Sequence, residues 1–351
     1  MFSDRTVAMN SICADAMLRD IVRLARSRGA SDIHFSGYDG PFFRVDNTLE
    51  RVASFDRSLL IFGIQKYLSN SSLLLQRLAD IGDCTVMISP DEVAPVRVHI
   101  WREGSTFGVA LRLHDAQLRS LDELGLPTVC TELLNEPHGL FLFTGPTGSG
   151  KSTSLFSSVR ELSHRRPLHM LTIEDPIEVS FSSDISLIRR REIGRDVPDI
   201  ASGIRSAMRS DPDVLVIGEM RDAEGISAAL EAAETGHLVI STIHASSSAA
   251  CIERIINSFP AERCAEARVR VSSALLGIIN QRLLPTVGGG RCVAAECLVA
   301  NDAIRTLIRE ARIHQIGNVI ATSRAQGMES LSSAIERLTL SGIVRLADRA
   351  A

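Results

Sequence analysis

Aromatic residues are scarce in this 351-residue chain, making up 4% of it with one Trp and two Tyr. A surface that stacks successive bases needs such side chains, so a base-stacking nucleic-acid platform is disfavoured. Charge of one sign is missing too, since 38 Lys and Arg against 42 Asp and Glu leave a formal net charge of −4. No global basic field therefore advertises a polyanionic partner, and no direct nucleic-acid contact is expected. The seven cysteines, at 13, 84, 130, 251, 264, 292 and 297, include no C-x-x-C pair. Neither a zinc ribbon nor a disulfide framework is indicated, and a reduced cytosolic setting is the expectation. No apolar run approaches the ~20 residues that span a bilayer. The first residues carry Asp4 and Asp15 and lack a basic segment followed by an apolar one, so no signal peptide is expected. The chain reads as soluble, meeting a membrane only through a partner.

What is present is ample apolar material. At 45% hydrophobic residues, each of about two domains can bury a core. Residues 1–10 read as a loose terminus. Ile12, Met17, Leu18, Ile21, Val22, Leu24 and Ala25 then recur at helical spacing and predict a helix over 12–28, stopped by Gly29. Strand patterns at 31–35 and 42–47, helical patterns over 58–80, and strands near 84–89, 95–101 and 107–113 make residues 1–115 a mixed α+β domain. A turn-rich linker over 116–128, with Pro127, follows. From 129 the pattern alternates strand and helix. Apolar strands at 140–144, 169–174, 213–218 and 237–243 predict a largely parallel sheet with helices on both faces. Gly288-Gly289-Gly290 separates 282–287 from 292–299 as a hairpin turn, and helical patterns occupy 302–314 and 329–342.

Chemistry concentrates in the second domain. Gly145-Pro146-Thr147-Gly148-Ser149-Gly150-Lys151-Ser152-Thr153 fits the phosphate-loop pattern G-x-x-x-x-G-K-[ST] without a mismatch. Its flanks fit as well: an apolar strand precedes it, and Leu155, Phe156, Val159 and Leu162 follow at helical spacing. Glycines let backbone N–H groups converge on phosphate oxygens, and the helix N-terminus adds partial positive charge. Lys151 would reach the β- and γ-phosphates of ATP, and the Ser152 hydroxyl would ligate Mg²⁺. Asp213-Val214-Leu215-Val216-Ile217-Gly218-Glu219 reads as a Walker B strand ending in a carboxylate, with Gly218 where most such enzymes place the Mg²⁺-associated Asp. Leu171-Thr172-Ile173-Glu174-Asp175-Pro176-Ile177-Glu178 is a second strand that runs into three carboxylates around a proline, expected to face the same crevice. His237 and His244 flank a third strand, ~20 Å apart, which disfavours a shared metal but suits sensing of a γ-phosphate. In the first domain Arg97 and Arg112 lie on neighbouring strands with Arg102 in the turn between, a face that matters if a nucleotide reaches it.

In this order the motifs resemble the secretion-superfamily ATPases, the motors of type II secretion, type IV pili and related machines. Walker A lies at 145–153, an Asp box at 172–178, the variant Walker B at 213–219 and a His box at 237–244. Gly218 in place of Asp is what that family shows. Within it the chain looks most like the PilT-type pilus retraction motors, through Gly29-Ala30-Ser31-Asp32-Ile33-His34, Asp211-Pro212-Asp213, Gly218-Glu219-Met220-Arg221-Asp222, Ala232-Ala233-Glu234-Thr235-Gly236-His237-Leu238-Val239 and Gly288-Gly289-Gly290-Arg291. Ala303-Ile304-Arg305-Thr306-Leu307-Ile308-Arg309-Glu310 is similar to the AIRNLIRE signature of those motors, with Thr306 for Asn. Its Ile304, Leu307, Ile308 and Ala311 would form one apolar stripe, leaving Arg305, Arg309 and Glu310 solvated. Asn47 and Trp101-Arg102 depart from the family pattern.

The resemblance implies an α/β chain: a PAS-like α+β N-terminal domain followed by a RecA-like P-loop NTPase domain with C-terminal helices. It further implies a homo-hexameric cytoplasmic ring, peripheral at the inner membrane through a platform protein. Glu178 and Glu219 would be the acidic residues required for turnover, Glu219 being the base that activates water. His237 and His244 would occupy the two His-box positions, and Arg97 and Arg112 would be the paired arginines sent toward nucleotide. The rival readings are a pilus-assembly or type IV secretion and conjugation ATPase, a nucleic-acid translocase on the same core, and a nucleotide-gated regulator. The assembly motors carry an extra N-terminal domain and often a tetracysteine zinc element. Lys151, Glu178 and Glu219 argue against a regulator that binds ATP without hydrolysing it.

Overall fold

The computed structural model describes residues 2–45, 48–69, 72–91, 94–113, 118–179, 181 and 185–345, without the side chains of 2–12 and 72–74. Contacts divide the chain into two compact units, Met1–Gln117 with Pro176–Ser180, and Leu118–Asp175 with Phe181–Ala351. Residues 114–117 of the stretch around the expected linker, and Asn47, lie outside the described residues.

The first unit opens with a helix, Phe2–Ser27 (α1). It begins where a loose terminus is expected from sequence. No Gly or Pro occurs before Gly29, so nothing in the backbone stops the helix short of Phe2. Strands Asp32–Ser36 (β1), Phe42–Val45 (β2) and Thr48–Arg51 (β3) follow, then helices Arg57–Ser69 (α2) and Ser72–Asp80 (α3), then strands Asp83–Ile88 (β4), Val96–Glu103 (β5) and Thr106–Leu113 (β6). The strands form one antiparallel sheet in the order β3-β2-β1-β6-β5-β4. Leu18, Ile21, Val22 and Ala25 of α1 join Ile33, Phe43, Ile100 and Leu111 of the sheet in one buried cluster. At Gly63 of α2 an added Cβ would lie 3.3 Å from the Ala14 carbonyl oxygen, so the small residue permits close approach of the two helices. Trp101 and Gly108 are cross-strand partners. The indole occupies the space a Cβ at 108 would need, approaching it to 2.2 Å, which gives the unusual Trp101 a packing reason. The strand β3 escaped sequence reading because all four residues are exposed and show no alternation.

The second unit runs through helix Val129–Leu134 (α4), strand Gly139–Thr144 (β7), helix Lys151–Arg165 (α5), strands His169–Glu174 (β8) and Leu187–Glu192 (β9), helix Ile200–Ala207 (α6), strand Val214–Ile217 (β10), helix Ala223–Glu234 (α7) and strand Leu238–Ile243 (β11). Helices Ser248–Asn257 (α8) and Cys264–Ala274 (α9), the hairpin Leu275–Pro285 (β12) and Arg291–Val299 (β13), and helices Asp302–Arg309 (α10), Ile316–Thr322 (α11) and Leu331–Leu340 (α12) complete it. Its sheet has the order β13-β12-β7-β11-β10-β8-β9, parallel throughout except for the β12–β13 pair. β7, β10 and β11 are buried at every residue, as parallel strands covered on both faces are. β9 was not expected: Leu-Ile-Arg-Arg-Arg-Glu carries too much charge to read as a core strand, and its place at the sheet edge explains why it can. The helical pattern at 302–314 ends sooner, at Arg309, and Ala311 adopts a φ of 59° that no helix continues through.

Candidate nucleotide site

Parallel strands of one sheet deliver their carboxyl ends to one edge, and the connections from those ends build the site. In the second unit β7 delivers the phosphate loop, β8 delivers Asp175, β10 delivers Gly218 and Glu219, and β11 delivers His244. The loop is wound through Gly145, Gly148 and Gly150 at φ of 143°, 78° and 89°. A Cβ at Gly145 would come within 2.4 Å of the Gln281 carbonyl oxygen, so close approach as well as φ demands glycine there. The fifteen-residue α5 starts at Lys151, and its N-cap, Gly150, offers no side-chain cap. The N–H groups of its first turn are therefore available to phosphate oxygens. The Ser149 hydroxyl is buried without a hydrogen-bond partner beside this turn, while Pro146, Thr147, Ser152 and Thr153 are exposed.

Lys151 is folded onto its own loop, donating to the carbonyls of Gly145 at 3.0 Å and Pro146 at 2.8 Å. Its Nζ also lies 3.3 Å from His244 Nδ1. An ammonium has only donors, so Nδ1 accepts and the imidazole is the neutral tautomer protonated at Nε2. That Nε2 lies 3.2 Å from Glu219 Oε1. Lys151, His244 and Glu219 thus form a chain of contacts from the phosphate loop to the Walker B carboxylate. Burial pulls the Lys151 ammonium below its ordinary value, with the Glu219 charge opposing it. The other carboxylate oxygen, Glu219 Oε2, accepts from both Arg221 Nε and Nη2 at 2.9 Å, and Arg221 Nη1 lies 3.6 Å from Asp175 Oδ2. Arg221 carried no role in the sequence reading. The signal was the charge sequence Glu219-Met220-Arg221-Asp222 after a buried strand, which alone reads as a solvated turn.

Other expected residues lie elsewhere. Glu174 turns inward, 2% exposed, with Arg190 of β9 donating to both its oxygens and Thr172 donating at 2.6 Å. The expectation that it faces the crevice is corrected: a guanidinium on the neighbouring strand draws it in. Glu178 lies on Pro176–Ser180, the segment grouped with the first unit, 3.3 Å from Arg97 Nη1. Arg97 and Arg112 are direct cross-strand partners on β5 and β6, and Arg112 Nε donates to Asp32 Oδ1 at 2.9 Å. Two cations directly opposite repel, so a carboxylate beside each steadies the pair. Burial raises the Asp32 carboxyl, but hydrogen bonds from Ser31 and Arg112 outweigh it and the pKa is lowered. Arg102 sits within β5, not in the turn. His237 stands at the amino edge, its Nδ1 hydrogen-bonded to the Ala232 carbonyl, lining a cavity of about 330 Å³ with Arg166, Asp211 and Asp213. The length of β11 separates it from His244, so within this chain the two histidines do not face one phosphate. Arg305, expected to be solvated, is buried against the α9 carbonyls of Ser272 and Ser273, and Ala311 is exposed past the end of α10 instead of extending its stripe.

Comparison with known proteins adds to this geometry. The family model for type II/IV secretion system proteins matches residues 8–336. The type IV pilus retraction ATPase PilT of Pseudomonas aeruginosa is 35% identical over 332 residues, 93% of this chain and 95% of that protein. A twitching motility protein of Neisseria gonorrhoeae is 42% identical over 253 residues, 72% of this chain and 68% of that protein. Among solved structures, the pilus retraction motor PilT with bound ADP superimposes with a TM-score of 0.84 at 37% identity, covering 94% of this chain and 95% of that one. The fold class expected from the sequence, a PAS-like domain followed by a RecA-like P-loop domain, is borne out by that likeness.

Proposed function

Because the chain belongs to the type II/IV secretion system protein family and is a PilT-type ATPase within it, we propose that it is a ring-forming motor that hydrolyses ATP to power type IV pilus retraction. The observation that carries the hydrolytic reading is the chain of contacts Lys151–His244–Glu219 at the carboxyl edge of the sheet. On arrival of ATP, phosphate oxygens compete with the Gly145 and Pro146 carbonyls for Lys151 and take up the free N–H groups of α5. Glu219 orients a water molecule and accepts its proton as the water oxygen attacks the γ-phosphorus. The bond to the bridging oxygen breaks, leaving ADP and phosphate, and the proton passes to the phosphate. His244 reports the position of Lys151 to Glu219 through its two ring nitrogens.

Among the described residues no group of three or more His, Cys, Asp and Glu is spaced to hold a metal ion, and Gly218 supplies no carboxylate. The exposed Ser152 hydroxyl with phosphate oxygens and water fits Mg²⁺, which its substrate largely holds. When bound, Mg²⁺ neutralises charge on the β- and γ-phosphates. Arg97 and Arg112 add positive charge toward the γ-phosphate in the assembled ring, and Glu178 supports turnover. His237 has no part in proton transfer in this reading. The motor is a homo-hexamer in the cytoplasm that passes motion to an inner-membrane platform protein. No helix among the described residues is long and apolar enough to cross a membrane, which agrees with contact through such a partner. Native mass spectrometry checks the hexamer, and ATPase assays on Lys151→Ala and Glu219→Ala check the site. Deletion in the source organism, with surface pili counted, tests direction: excess pili support retraction, and bald cells mean assembly.

A further inference from the structure

Glu219 is held from two sides, and the second side belongs to no motif. His244 donates to one carboxylate oxygen, while Arg221 places two guanidinium nitrogens on the other at 2.9 Å. A carboxylate at the end of a strand has a freely turning side chain unless something fixes it. A fork on one oxygen and an imidazole on the other fix both its position and its plane. Arg221 is itself steered, because its remaining nitrogen lies 3.6 Å from Asp175, the residue that follows β8. β8 and β10 are hydrogen-bonded neighbours, so the guanidinium ties together the carboxyl ends of two adjacent strands. The arginine's own pKa is raised, chiefly by the hydrogen bond to Glu219, with burial opposing and the Glu219 and Asp175 charges adding.

We propose that Arg221 is a positioning residue for hydrolysis, a clamp that spans Asp175 and Glu219 and holds the Walker B carboxylate in the orientation that addresses the attacking water. This rests on the reading of Glu219 as the water-activating base. Arg221 does not bind nucleotide in this account; it acts through Glu219. Loss of the clamp therefore lowers kcat and leaves binding intact. Lysine is a poor replacement, because a single ammonium cannot make the two-nitrogen fork.

The test measures ATPase kinetics on the full chain for Arg221→Gln, Arg221→Lys, Arg221→Ala, Asp175→Asn and Glu219→Gln. Arg221→Gln and Arg221→Ala are expected to lose about 100-fold in kcat, the cost of misplacing a reacting group by an ångström. Their KM for ATP is expected to stay within about threefold of the parent. Arg221→Lys falls between. Guanidinium chloride at low concentration, against sodium chloride of equal ionic strength, restores part of the Arg221→Ala rate. Asp175 is exposed, so Asp175→Asn folds even if an Arg221 variant does not. It lowers kcat about threefold alone and adds nothing in an Arg221→Gln background, since both changes remove one unit. Parent-like kcat in Arg221→Gln, a KM rise that matches the kcat loss, or full additivity with Asp175→Asn overturns the proposal. If Glu219→Gln turns over normally, the site reading itself fails. If Glu219→Gln is inactive and the Arg221 variants are normal, only the clamp fails.

Discussion

Arg190→Met removes one half of an ion pair that the sheet has almost closed off from water. The Glu174 side chain is 1% exposed and that of Arg190 17%, and three guanidinium contacts between 2.8 and 3.0 Å join them. Arg190 also lies over the Phe181 ring at 4.9 Å, and Phe181 in turn packs on Phe156 of α5. Taking away one partner of a buried pair leaves a desolvated charge, which costs about 3–5 kcal/mol. At about 1.4 kcal/mol per decade, that is a loss of roughly two to three and a half decades in the folding constant. Replacing both partners by apolar residues, Glu174→Leu with Arg190→Met, removes the charge entirely and should recover most of the loss. It strands the Thr172 hydroxyl, which now donates to Glu174, at about 1–3 kcal/mol. Adding Thr172→Val should recover that remainder. Urea unfolding followed by circular dichroism reads all four proteins. Arg190→Met within about 1 kcal/mol of the parent would refute the reasoning, because it would mean that water reaches Glu174 and the pair is weak. A double variant no better than Arg190→Met would refute it as well.

Lys151→Ala and Glu219→Ala should each abolish ATP turnover while the circular dichroism spectrum stays that of the parent; turnover at the parent rate in either one removes the site assignment. Gly145→Ala must place a Cβ within 2.4 Å of the Gln281 carbonyl at a φ of 143°, so nucleotide binding measured by calorimetry should be lost together with some stability, about 1–3 kcal/mol from backbone strain. Burial pushes the Cys251 and Cys297 thiols up to about 12, so both stay protonated at pH 8 and should resist maleimide in the native protein, whereas exposed Cys13 reacts; mass mapping of the adducts decides it. Asp32 has a lowered pKa, so its contribution to stability is present above the unfolded carboxylate value near 3.8 and disappears as pH falls through the lower folded value. Asp32→Asn should flatten the acid limb of a stability profile there, and an unchanged limb would mean that Asp32 is not paired.

Residue order alone settled much of this protein. The phosphate loop is contiguous, and its glycines, lysine and flanking apolar runs are local features that need no distant partner to be read. The apolar strands of the second sheet were legible for the same reason: a strand buried on both faces shows itself as an unbroken apolar run. β9 was hidden because an edge strand tolerates three arginines, and β3 because a fully exposed strand has no alternation. Which carboxylate serves the site was a tertiary matter. Glu174 and Glu219 both end buried strands, yet Arg190 of a neighbouring strand draws the first inward, while His244 and Arg221 hold the second at the edge. The histidines divide likewise, since a strand sends its two ends to opposite edges of a parallel sheet. Sequence spacing supplies the groups and their order along each strand; only the lateral order of the strands, set by non-local hydrogen bonding, decides which groups meet.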